Sequence, residues 1–271
     1  MSTSQNLVVR GQQSMARALR VLSELVQSDR PMTATELGER VGLHQSTVSR
    51  MLQTFQSIGF VRKPDYHRFA ADIGLAVFAG RAAMHFPMIR RTLPALRRRA
   101  SECDDYGMTL CALWRHELVV LLKRDPHGDF HVMPSSRSPL HLAAAGLRHL
   151  LELPDKEAIA CLEHSREVYG WGRPTHSVPA TPERTLAYAR RKLDLDVLTL
   201  CDWAGPNERK AAIPIRQQGQ IVATAVVYQH RLPANPERMT AVLHSIARDV
   251  EAALAWREDA AEPALVEGAD L

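Results

Sequence analysis

Between residues 45 and 53 the chain reads QSTVSRMLQ, and at helical spacing its polar and apolar residues separate onto opposite faces. Ser46, Ser49, Arg50 and Gln53 share the polar face, with Gln45 and Thr47 flanking its first turn. Short hydroxyls, planar amides and a guanidinium donate to phosphate oxygens or read the edges of bases. No carboxylate interrupts that face, where one would repel a polyanion. A second group of donors, Arg62, Lys63, His67 and Arg68, brackets the turn-forming pair Pro64-Asp65. Together these residues offer recognition of an anionic partner.

Residue patterns for covalent or metal chemistry are missing from the sequence. The segment His116-Glu117-Leu118-Val119-Val120 begins like H-E-x-x-H but lacks the second histidine that would complete a metal pair on one helical face. His127 and His131 are four apart, yet Pro126 and Gly128 argue against a helix between them. No G-x-S-x-G elbow, P-loop or G-x-G-x-x-G fingerprint occurs. The expectation is therefore no enzyme, no cofactor and no metal. Cys103, Cys111, Cys161 and Cys201 form no C-x-x-C pair and read as free thiols, buried or half-buried, in a reducing compartment.

The elements that would position the donors follow from periodicity. Met15, Ala18, Leu19, Leu22, Leu25 and Val26 predict a helix over 14–27 with these residues as one buried stripe and Ser14 as its N-cap, ended by Ser28-Asp29-Arg30-Pro31. A second helix, 34–41, buries Leu37 and Val41 and takes its cap from Thr33 or Thr35. Gly42-Leu43 makes a turn, and a third helix, 45–58, buries Val48, Met51, Leu52, Phe55 and Ile58. Strands over 60–63 and 66–69 then form a two-stranded ribbon with basic residues at its tip. This order predicts a winged helix-turn-helix that binds double-stranded DNA.

Charge divides the same way. Of the 271 residues, 1–99 hold 15 Lys/Arg against 6 Asp/Glu, a balance of +9, and 100–271 hold 19 against 24, a balance of −5. The basic end is the one expected to meet a polyanion. No run of 18 apolar residues suggests a membrane span, and the first 17 residues lack a signal peptide's apolar core, so a cytoplasmic protein is expected.

The stretch SMARALRVLSELVQSDRPMTATELGERVGLHQSTVSRMLQTFQSIGFVRK resembles the DNA-binding domain of the IclR family of bacterial transcriptional regulators. The shared features are S-x-x-R-A-L-x-V-L, T-x-x-E-L before the turn glycine, and G-L-x-x-S-T-V-x-R-x-L along the third helix. The resemblance implies that Gln45, Ser46, Thr47, Ser49 and Arg50 face DNA. It also implies a linker helix, here 71–92, whose stripe is Leu75, Phe78, Ala79 and Ala82 and which breaks at Phe86-Pro87. Arg97-Arg98-Arg99, on a helical stretch beyond it, is either a solvated face or a further DNA contact.

From Tyr106 the pattern changes to short β-rich runs alternating with helices. Strands are expected at 109–113 and 118–122, joined through 114–117 as a four-residue hairpin, then at 130–133, 197–200, 211–215 and 221–228. Helices are expected at 143–151, 155–164, 181–193 and 235–256. The fold class is thus an N-terminal winged helix-turn-helix joined by a linker helix to an α+β domain with a largely antiparallel sheet. That second domain is similar to the family's GAF-like effector-binding domain, which implies a small organic acid as ligand. Its best local match is Ser138–Leu147, SPLHLAAAGL, although Leu147 stands where the family commonly has lysine. Val226 and Tyr228 replace the small hydroxyl residues that commonly hold an effector carboxylate. Either the effector is larger or more aromatic, or side chains fill the pocket.

The expected organisation is an arm over 1–12, the DNA-binding domain over 13–70, the linker helix over 71–92, an effector and oligomerisation domain over 93–257, and a disordered acidic tail over 258–271. Phe130, Met133, Ala144, Ala145, Asp202 and Tyr228 are the expected effector contacts. Because single winged helices read half-sites, a homodimer is expected, and the resemblance implies a dimer of dimers as well. The leading function is a repressor or activator of transcription that senses a small organic acid, aromatic acids included, or a related metabolite. The alternatives are an enzyme with a DNA-anchoring domain and a ligand-independent DNA-binding oligomer.

Overall fold

The computed structural model describes residues 10–135, 138–229 and 235–255. The expected tail over 258–271, and residues 1–9 of the arm expected over 1–12, lie outside those residues. The chain forms two compact units, Met1–Ala82 and Ala83–Leu271.

The first unit runs α1 (Arg10–Val26), β1 (Met32–Thr33), α2 (Ala34–Val41), α3 (Gln45–Ser57), β2 (Val61–Arg62) and β3 (Arg68–Ala71), and enters α4 (Ile73–His85), within which the division falls. Its core joins Val21, Leu22 and Leu25 of α1 to Leu37 and Val41 of α2, Val48 and Leu52 of α3, and Met32, Val61 and Phe69 of the strands. The strands make a three-stranded antiparallel sheet in the order β1-β3-β2. A two-residue strand such as β1 has no periodicity to read, which is why it escaped the sequence.

Three expectations in this unit need correction. Ser14 does not cap α1, because the helix begins by Arg10 and Ser14 lies inside it. Burial on α1 begins at Val21, so Met15 and Leu19 are exposed, as is Val26 at the far end. Ile58 is 56% exposed, since the chain leaves helical geometry there and turns the side chain outward.

The helix-turn-helix is fixed by local bonds. Thr33 Oγ1 accepts from the Glu36 amide at 3.2 Å while Glu36 Oε2 accepts from the Thr33 amide at 2.7 Å. This reciprocal capping box occupies two amides that a helix start otherwise leaves unbonded. Arg30 donates to Glu36 at 2.7 Å and, with the Thr33 bonds, holds that carboxyl down to about 2. Gly42 closes α2 in the left-handed region at φ 69°, a conformation that costs glycine little.

The second unit contains α5 (Pro87–Ala100), β4 (Gly107–Trp114), β5 (Glu117–Arg124), β6 (His131–Ser135), α6 (Ala144–Leu150), α7 (Asp155–Tyr169), α8 (Pro182–Arg191), β7 (Leu193–Asp194), β8 (Val197–Cys201), β9 (Arg209–Gln217), β10 (Gln220–Gln229) and α9 (Pro236–Ala255). Its strands form one antiparallel sheet of seven, in the order β6-β5-β4-β10-β9-β8-β7. The two hairpins β4-β5 and β9-β10 join at the centre, where β10 pairs with β4 in the register Val226 with Thr109. Alternation along β10 sends Ala223, Ala225 and Val227 into a core with α5 and α9, and Val226 into a second core with α6, α7 and α8. Helices therefore cover both faces of the α+β unit. The hairpin between β4 and β5 turns on two residues rather than four: Arg115 and His116 both have positive φ, the geometry whose twist suits antiparallel strands.

Candidate nucleic-acid interface and ligand cavity

Helix α3 presents the anticipated polar face. Gln45, Ser46, Arg50 and Gln53 are exposed, and Thr47 and Ser49 are half-buried, above the buried pair Val48 and Leu52. The helix start has no acidic residue; its cap is the His44 imidazole, whose Nδ1 accepts from the Ser46 amide and lies 2.9 Å from the Ser46 hydroxyl. The sequence reading missed this cap because imidazole is rarely read as one. It leaves the N-terminal turn free of the negative charge an aspartate cap would bring to a phosphate.

The ribbon between β2 and β3 brings a second set of donors beside α3. Gln45 and Ser49 share a groove of about 230 Å³ with Thr35 of α2 and with Lys63, Tyr66 and His67 of the ribbon. Arg62, Lys63 and His67 are exposed. The Lys63 ammonium lies over the rings of Tyr66 and Phe69, at 5.5 and 5.2 Å from their centroids. Arg68 is more committed to the fold: half-buried, it donates to the Pro31 carbonyl at 3.1 Å. Asp65 shapes the ribbon tip by accepting from the His67 and Arg68 amides at 3.0 and 2.9 Å.

The basic triplet on α5 divides. Arg97 pairs with Asp129 at 2.8 Å, and Arg99 bonds Asp249 at 2.7 Å and Glu102 at 2.8 Å. These two guanidinium groups are held by carboxylates of their own unit.

The second unit holds a cavity of about 290 Å³ between the β5-β4-β10-β9 surface and the chain leading into α6. Of the expected effector contacts, Ala144, Ala145 and Tyr228 line it. Three others do not. Phe130 is buried in the core with α5 and α9, on the other side of the sheet. Met133 is exposed on the edge strand β6, and Asp202 is exposed and accepts from the Asn207 amide at 2.7 Å in a turn. Cys111 is buried at the cavity wall, which pushes its thiol up to about 12; Cys103 and Cys161 are also buried, and Cys201 is exposed.

The polar lining was largely illegible from sequence, because antiparallel pairing brings it together from distant segments. Lys123 meets Asp125 at 3.2 Å, and Lys210 meets Glu208 at 2.8 Å. Tyr228 Oη donates to Asp125 Oδ1 at 2.8 Å. That bond, with Lys123, holds the Asp125 carboxyl below the ordinary range, while burial and Asp125 together raise the Tyr228 phenol. The wall before α6 is braced by His141, which is fully buried. Its Nε2 lies 2.8 Å from the Gly172 carbonyl, its ring stacks on Trp171 at 4.1 Å, and its own carbonyl accepts from Trp203 Nε1 at 2.8 Å. Burial keeps that imidazole below its usual titration range.

No helix among the described residues is long and apolar enough to cross a membrane. Residues 14–65 match the IclR helix-turn-helix domain. The chain is similar to the transcriptional repressor IclR of Escherichia coli K12, 27% identical over 226 residues that cover 75% of this chain and 79% of that protein. It is similar also to the HTH-type transcriptional regulator KdgR of the same organism, 25% identical over 244 residues, covering 85% and 88%. In fold it resembles an IclR-family regulator from Brucella abortus, with a TM-score of 0.69 at 19% identity, covering 92% of this chain and 94% of that one. An IclR homologue from Microbacterium hydrocarbonoxydans complexed with 4-hydroxybenzoate has a TM-score of 0.63 at 22% identity, covering 89% and 98%.

Proposed function

We propose that the chain is an IclR-family DNA-binding transcriptional regulator that reads an operator with α3 and answers to a small organic acid held in the second unit's cavity. The observation that carries the reading is the exposed, acid-free face of α3 beside the basic ribbon. Arg50, Gln45, Ser46, Thr47, Ser49 and Gln53 are the proposed contacts within the major groove. Arg62, Lys63 and His67 are proposed to lie on flanking phosphates, with Arg68 bracing the ribbon as well. Residues 13–70 are read as the DNA-binding module, 71–92 as the linker and 93–257 as the sensing and pairing module.

The ligand part of the proposal is supported by the cavity's size, about 290 Å³, which suits a single-ring or short-chain compound. The 4-hydroxybenzoate on the Microbacterium homologue is a ligand of that scale. Binding without turnover is proposed, since the curated relatives are regulators. Pairing into dimers, singly or as two dimers, is supported by the exposed apolar residues Met15 and Leu19 on α1 and Ile73, Val77 and Phe78 on α4. A cytoplasmic location is proposed along with the DNA partner.

Mapping the bound sites across the genome that encodes the chain tests this reading. Enrichment of one short palindromic sequence, with release of that DNA by an organic acid in vitro, is the expected result. Binding spread without sequence preference would overturn it.

A further inference from the structure

The hydroxyls of α3 differ in where their protons go. Thr54 Oγ1 donates to the Arg50 carbonyl at 3.1 Å and Ser57 Oγ to the Thr54 carbonyl at 2.8 Å, the common outlet for a hydroxyl inside a helix. Ser46 stands in the first turn, where the residue four back, Gly42, precedes the helix. Its hydroxyl lies instead 2.9 Å from Nδ1 of the capping residue His44.

The cap decides the direction of that bond. The Ser46 amide also points at His44 Nδ1, at 3.4 Å, and an amide N–H can only donate. A proton on Nδ1 would set donor against donor and leave the helix start without its cap. Nδ1 is therefore the acceptor, and the Ser46 hydroxyl donates to it. A hydroxyl has one proton to give, so this exposed oxygen offers a partner only its lone pairs. Such an oxygen does not suit a phosphate or the N7, O6 and O4 atoms of the bases, all of which accept. In the major groove it suits the groups that donate, the N6 amino of adenine and the N4 amino of cytosine. The first turn of a recognition helix is the part that meets base edges.

We propose that His44 and Ser46 act as one unit that reads an amino group, on adenine or cytosine, in the operator's major groove. Ser46 makes the contact, and His44 is the positioning residue that fixes its polarity. This rests on the reading of α3 as the helix that enters the groove and names what one of its contacts recognises.

Fluorescence anisotropy on modified operator duplexes tests it. In the operator recovered by genome mapping, each adenine in turn is replaced by purine and each cytosine by 2-pyrimidinone, which removes the amino group. In a second series each adenine or guanine is replaced by its 7-deaza analogue, which removes the N7 acceptor. Comparing the parent with Ser46→Ala on every duplex cancels the cost of a weakened base pair. At one amino position per half-site the parent is expected to lose about threefold to tenfold in affinity, as one hydrogen bond implies, and Ser46→Ala to lose nothing further. His44→Ala should abolish that selectivity, and His44→Asn, whose amide oxygen accepts in the same place, should restore it, with melting temperatures confirming that each variant is folded. A cap that served folding alone would leave the selectivity in place in both. Selectivity retained in His44→Ala, or Ser46→Ala coupled to a 7-deaza position or to no base, overturns the proposal, while the reading of α3 stands as long as Arg50→Ala weakens operator binding. If neither Ser46→Ala nor Arg50→Ala weakens it, both fall.

Discussion

The ring of Tyr228 lies against Gly107, its cross-strand partner at the centre of the seven-stranded sheet: a β-carbon on Gly107 would come within 2.1 Å of Tyr228 Cζ. The missing side chain lets the phenol pass over β4 and reach Asp125 at the end of β5. Gly107 thus gives Tyr228, a lining residue of the cavity, the room its ring needs. Gly107→Ala is expected to cost about 1–3 kcal/mol by overpacking and to displace the ring from Asp125. Adding Tyr228→Ala should cost less than the two single changes combined, because the clash disappears with the ring. Denaturation midpoints of the four proteins check this, and strict additivity would contradict it.

Arg148 is 1% exposed on α6 and gathers the β7-β8 turn. Its Nη1 donates to Glu152 at 2.7 Å and its Nε to the Asp196 carbonyl at 2.9 Å, while its Nη2 meets the Asp196 carboxylate. Arg216 joins the same two acids. Arg148→Met is expected to destabilise by about 3 kcal/mol, the low end for a broken buried pair, because Arg216 still neutralises the acids. Urea denaturation with an unchanged slope measures it.

Burial holds the His149 imidazole down at about 4, from an ordinary 6.5. The unfolded chain therefore takes up a proton near pH 6.5 that the folded chain refuses until about pH 4. Stability from this group is complete above pH 6.5 and falls as the pH drops toward 4, by at most roughly 3 kcal/mol. His149→Leu should lose less stability between pH 7.5 and 5 than the parent does. Equal losses would assign the acid sensitivity to other groups.

How far the sequence was legible depended on where the determining contacts lay. Within the first unit they are local: the Thr33 and Glu36 capping box, Gly42 and the period of Val48 and Leu52 are all visible within a few residues. The end of α1 was not, because Ser14 resembles a cap and the core that decides burial begins at Val21. In the second unit the strands were legible as apolar runs, but the cavity was not. Lys123, Asp125, Glu208 and Lys210 are about 80 residues apart in two groups and are joined only by the pairing of β5, β4, β10 and β9. Phe130 reads like a ligand contact by type, yet it lies just before β6 and packs into the other core.

The ribbon and α3 make separable contributions to DNA binding. Arg62 is exposed on β2 and is expected to neutralise one phosphate. Arg62→Ala should flatten the slope of log affinity against log salt by about 0.9 and weaken operator and unrelated duplex alike. An unaltered slope would remove Arg62 from the backbone contacts.

The most direct test of DNA reading by α3 is the affinity of the Arg50→Ala protein for its mapped operator and for a scrambled duplex, measured by fluorescence anisotropy at one salt concentration. Arg50 is exposed on the acid-free face of α3. The expected result is a loss of about 1–3 kcal/mol on the operator and a much smaller loss on the scrambled duplex. Equal affinity of parent and variant for the operator would contradict the assignment of α3 as the reading helix.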